Sequence, residues 1–220
     1  MYKKITHSII EEHFDHPMAN KIKSTLERRV SRPTNFVFNE DSFRNNINSY
    51  TNGYSTKLAS LINGVTGTDD DLITAFESLF MGIDDLGTTF KHFYQSELAE
   101  RMNVSFRGMA LLFTIMINSV KAGRDYASFE NRVNSIANDI GVNMSLYNSR
   151  WDLNAIRNVM TNFISSGIAK INARHSKNSA AEQQAEAAMR SSLAEFSNIV
   201  QTGIMGQFPD RFTMEGGMTL

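Results

Sequence analysis

The chain contains no cysteine. That absence excludes disulfides, thiolate-bound zinc, iron–sulfur clusters and thiol nucleophiles. Proline is nearly missing too, at 17, 33 and 209 only, so the 175 residues from Thr34 to Phe208 have none. Helix interiors exclude proline while sandwiches and barrels use it in turns, so this gap predicts helices almost throughout. Long hydrophobic runs are also lacking. The longest, Met109 to Ile117, is nine residues interrupted by Thr114, against about 20 needed to cross a bilayer. No membrane span is expected. After the basic start Met1-Tyr2-Lys3-Lys4, the pair Ile9-Ile10 stops at Glu11-Glu12. No secretory hydrophobic region forms there, and the expected setting is cytoplasmic or virion-associated.

Familiar chemistry is missing as well. No Gly-x-Ser-x-Gly elbow occurs, and Gly64-Val65-Thr66-Gly67 has the wrong neighbours for a phosphate-binding loop. Three carboxylates at Asp69-Asp70-Asp71 lack the alternating ligands and glycine of a calcium loop. Helical bundles bind metals through Glu and His on facing helices. The one candidate is Glu11-Glu12-His13-Phe14-Asp15-His16, where a continuous helix would place the weak metal candidates His13 and His16 on one face. No second cluster completes it, and no cofactor is expected. Basic residues between 101 and 178 occur singly among Asn and Ser, not interleaved with aromatics, so nucleic acid is not an expected partner.

What is present is helical periodicity. Positions 72, 76, 79, 80, 83, 86, 90, 93 and 94 form one apolar stripe, and the run after Gly108 is apolar on all sides. A helix apolar all round must be buried, so a central helix is expected at about 105–121, capped by Asn103 or Ser105. Thr68 is expected to cap the helix before it, with three carboxylates at the positive end of the dipole. Gly82 and Gly87 are expected to break that helix. Tyr126 to Ile140 forms another, closed by Gly141, with 142–148 as a connector. A long helix carries Trp151 to Ile171, and Ala180 to Arg190 continues through Ile204. Together these predict an all-α, multi-helix bundle around a buried central helix. An N-terminal helical arm (1–35) precedes a core domain (36–203), and an irregular tail (204–220) follows it.

Residues 70–165 resemble a globin in outline, through the Phe90-Lys91-His92-Phe93-Tyr94 corner followed by a buried helix. A haem globin needs a proximal histidine after that corner, and none occurs between His92 and His175. The outline therefore implies no haem and assigns no family.

Charge alternates along the chain. Residues 68–100 carry eight acids against Lys91, 101–178 ten bases against four acids, and 179–220 five acids against two arginines. Such segments either neutralise each other within one chain or stack subunits head to tail. The tail mixes Gly206, Pro209, Gly216 and Gly217 with Phe208, Phe212, Met214, Met218 and Leu220. Apolar residues without a period cannot build their own core, so they tuck onto the domain or dock on a partner. The resulting expectation is a non-enzymatic structural or assembly subunit, as in a virion, phage tail or secretion apparatus, with homo- or hetero-oligomeric protein partners. Its contact residues would be Phe208, Phe212, Met214 and Met218. One alternative is a sensor or regulatory module binding a small apolar ligand among Met109, Phe113, Met116, Phe129 and Met160. Another is a carboxylate/His metalloenzyme using His13 and His16.

Overall fold

Helix starts are set by local chemistry. The Thr68 hydroxyl accepts from the Asp71 N–H at 3.1 Å while the Asp71 carboxylate accepts from the Thr68 N–H at 2.9 Å. This reciprocal capping box fixes where the helix begins. Asn39, Asp152 and Asn178 likewise accept from backbone N–H groups of first turns. The computed structural model describes residues 10–27, 39–94 and 96–212. Residues 10–13 are helical. There follow α1 (His16–Glu27), α2 (Glu40–Asn63), α3 (Asp69–Phe93), α4 (Ser96–Lys121), α5 (Ala127–Tyr147), α6 (Leu153–His175), α7 (Ser179–Gln207) and a 3-10 turn at Pro209–Arg211.

Short connections make consecutive helices antiparallel neighbours. From α2 to α7 each helix packs on the next, α7 closes against α2, and α1 lies on α3. The α4–α5 turn depends on Gly123, whose φ of 65° is the left-handed value that glycine tolerates best. This is the all-α bundle that the sequence predicts. Its centre is α4, which touches α2, α3, α5 and α6 and buries Met102, Met109, Phe113, Ile115, Met116 and Ile117 completely. By length and composition α4 would suffice to cross a membrane, with 67% of its most apolar window enclosed by the other helices.

Several expected boundaries move. The central helix begins at Ser96, not near 105, because Leu98, Ala99 and Met102 already keep its buried face and Glu97 pairs with Arg101 at 2.6 Å one turn on. Asn103 and Ser105 therefore lie inside a helix and cap nothing. Gly82 and Gly87 do not break α3, which runs through both. A Cβ at Gly87 would meet Asn103 Oδ1 at 2.0 Å, and one at Gly82 would meet Lys57 Nζ at 2.7 Å. These glycines admit side chains from α4 and α2. Gly141 does not close α5, which continues to Tyr147 with Met144 buried; a Cβ at Gly141 would lie 3.1 Å from the Leu153 carbonyl oxygen. Over 10–27 the expected arm is docked on the body, with Ile10 and Ile22 fully buried. At the other end α7 runs past 203 to Gln207 and buries Ile204 completely.

Charged segments meet inside the chain. Asp69 and Asp70 at the start of α3 pair with Lys121 at 2.7 Å and Lys21 at 3.1 Å. Arg107 of α4 pairs with Asp84 of α3. The basic end of α6 meets the acidic start of α7, where Lys170 reaches Glu182 at 3.0 Å and Glu186 at 2.9 Å and Arg174 reaches Glu182 at 2.7 Å.

Gly87 offers a test of the close-approach reading. Alanine there gains about 1 kcal/mol of helix propensity but pushes the Asn103 amide off Asp84, a bond to a charged group worth about 1.5–3 kcal/mol. Gly87→Ala should therefore lower the Tm, whereas in an Asn103→Ala background the same change should raise it. Denaturation of the four proteins checks that reversal of sign.

Candidate interaction site at the carboxyl-terminal latch

Phe90 and Phe93 close α3 and Tyr94 follows as its extended cap, and the Phe93 and Tyr94 rings meet the segment after α7. Burial raises the pKa of the Tyr94 hydroxyl, keeping it a neutral donor and acceptor. It donates to Gln207 Oε1 at 2.8 Å and accepts from Asn148 Nδ2 at 2.9 Å. Gln207 Nε2 in turn donates to the Tyr147 carbonyl at 3.3 Å. One phenol thus joins the ends of α3, α5 and α7.

Beneath this bridge lies Trp151, the only tryptophan. Its indole N–H donates to the Ile199 carbonyl at 3.0 Å, and its ring meets Tyr94 at 5.2 Å and Phe90 edge-on at 6.0 Å. Gly203 is glycine because a Cβ there would lie 1.9 Å from the indole nitrogen. Beyond α7, Phe208 packs on Phe93 at 5.6 Å and Tyr94 at 5.4 Å. Phe212 stacks on Phe93 at 5.6 Å and 13°, and Phe43 of α2 completes the triangle at 5.0 Å from Phe212 and 5.5 Å from Phe93. Arg211 donates to the His92 carbonyl at 2.7 Å and lies over the Phe208 ring. Residues 208–212 are therefore latched to the ends of α2 and α3.

Two of the four expected contact residues, Phe208 and Phe212, are thus half-buried against their own domain. Met214 and Met218 lie outside the described residues. Phe43, Asn148 and Gln207 carry no local mark of membership in this cluster. The aromatic corner at 90–94 was the one visible signal, and nothing in the sequence links it to position 43 or 212.

The metal candidates do not share a helix face. The first helix stops at His13, and Asp15 caps the next by accepting from the Met18 N–H at 3.0 Å, so His16 opens a separate helix. The His13 ring stands edge-on to Phe129 at 4.9 Å, and the His16 side chain lies outside the described residues. Among the described residues no group of three His, Cys, Asp or Glu could hold a metal ion. Of the pocket candidates, Met109, Phe113, Met116 and Met160 are fully buried and Phe129 nearly so. The Phe113 ring fills the place of a Gly167 side chain, 2.6 Å from where its Cβ would stand. They act as core.

No family model, no curated protein and no solved structure matches the chain.

Proposed function

We propose that this chain is a non-enzymatic structural subunit that works by protein–protein contact, assembling with copies of itself in a larger complex such as a virion, a phage tail or a secretion apparatus. The observation that carries the reading is the latch. It fixes the chain at Phe212, at one end of the bundle, immediately before a sequence holding Met214, Met218 and Leu220. Pre-ordering of the attachment point lowers the entropy lost when that sequence engages a partner.

The latch also decides how to test the proposal. Ending the chain at Gly203 would remove Ile204, Gln207, Phe208 and Phe212 and so damage the fold itself. A chain ending at Phe212 keeps them. Full-length protein is expected to form a multimer in light scattering, and the chain ending at Phe212 a smaller species with the same Tm. Monomers for both proteins at every concentration and salt level would overturn the proposal.

A further inference from the structure

The large apolar side chains exposed among the described residues are Val104, at 47%, and Leu146, at 71%. Both belong to one region. Glu97, Glu100, Arg101 and Val104 on α4 face Asp139, Val142 and Asn143 on α5 across a groove of about 530 Å³, and Leu146 follows Val142 and Asn143 on the same face of α5. Arg101 bridges the walls, donating to Asn143 Oδ1 at 3.1 Å while paired to Glu97. Glu97 is thereby neutralised. Glu100 and Asp139 are exposed and carry no ion pair among the described residues. The groove thus offers apolar edges flanked by two uncompensated carboxylates.

Such a surface fits an arginine-rich segment with apolar side chains. The chain contains one: Arg28-Arg29-Val30-Ser31-Arg32-Pro33-Thr34-Asn35-Phe36-Val37-Phe38 has three arginines, four large apolar residues and no acid. This segment lies outside the described residues. The C-terminal sequence 213–220 is excluded as occupant by charge, since it holds Glu215 and no base.

Resting on the assembly reading, we infer that the acidic α4–α5 groove receives residues 28–38 of a second copy of this chain. Each copy then presents both halves of the contact. The exchange either closes reciprocally as a two-fold dimer or runs head-to-tail into a ring or filament.

Charge reversal tests this. One variant carries Glu100→Lys and Asp139→Lys, the other Arg28→Glu, Arg29→Glu and Arg32→Glu. Each alone should form a smaller species than wild type, because its groove and segment now repel. Mixing the two should restore multimers, since opposite charges then face one another in both directions between unlike copies. A synthetic peptide of residues 28–38 serves as a second probe that needs no altered segment. It should bind the full-length protein about tenfold more tightly than the groove variant. Multimers of unchanged mass in the reversed variants, a mixture that gains no mass over the separate variants, or equal peptide binding would each overturn the inference. If wild-type multimers persist through the groove reversal but vanish on truncation at Phe212, the groove inference fails while the assembly reading stands.

Discussion

Replacing Trp151 by alanine is expected to destabilise the fold by about 3–5 kcal/mol, the range for emptying a large aromatic site in a packed core. At about 2–4 °C per kcal/mol for a chain of this size, the Tm should fall on the order of 10 °C. The cost has two separable parts. The indole ring fills the space between Phe90, Tyr94 and Gly203, and its N–H donates to the Ile199 carbonyl. Trp151→Phe keeps much of the ring and drops the donor; the Ile199 carbonyl, inside α7, keeps the Gly203 N–H of the helix ladder, so the cost should be closer to that of one hydrogen bond, about 0.5–1.5 kcal/mol. Urea denaturation of the three proteins by circular dichroism reads the split. Equal stabilities for wild type and Trp151→Ala would mean that the latch does not rest on this residue.

The second large effect is expected at Lys170. Its side chain is 2% exposed and held by Glu182 and Glu186. Removing one member of a buried ion cluster typically costs about 3–5 kcal/mol because uncompensated charge stays behind. Here the carboxylates are 20% and 33% exposed and keep Arg174 and Arg190. Lys170→Ala should therefore fall near the lower end, about 3 kcal/mol. The cluster also sets a pH dependence. Burial alone would raise the Glu182 carboxyl, but hydrogen bonds from Lys170 and Arg174 outweigh it and hold the pKa below the ordinary 4.5. Hydrogen bonds from Arg190 and then Lys170 do the same for Glu186. Both groups release protons more readily folded than unfolded, so their contribution is complete above the ordinary carboxylate pKa and is lost as pH falls through the lowered folded values. Wild-type stability should decline in acid below about pH 4.5, and the decline should be shallower in Lys170→Ala. Parallel acid profiles for the two proteins would contradict this role of the cluster.

What the sequence revealed and what it hid follow from the range of each interaction. The proline gap, the Thr68 capping box and the stripe over 72–94 are local signals, and local chemistry produces the helices they predict. Glycine is ambiguous at the same range. Gly82, Gly87 and Gly141 resemble helix breaks until Lys57, Asn103 and the Leu153 carbonyl are seen beside them, and those neighbours come from other elements. The histidine pair failed for a different reason. A single cap at Asp15 ends one helix and starts another, which resets the phase between His13 and His16. The latch was invisible because its partners, Phe43, Phe93 and Phe212, are far apart in the chain. The charge alternation was legible as a pattern, while its pairing within one chain became visible only where Lys21, Lys121 and Lys170 meet their acids.

As proposed, the molecule works as one copy among several. The most direct measurement is the native mass of the full-length 24.8 kDa protomer by light scattering across a concentration series, at low and high salt. A mass that rises with concentration to a multiple of the protomer and falls as salt screens the arginine–carboxylate contacts is the predicted result. A protomer mass at every concentration and both salt levels would contradict it.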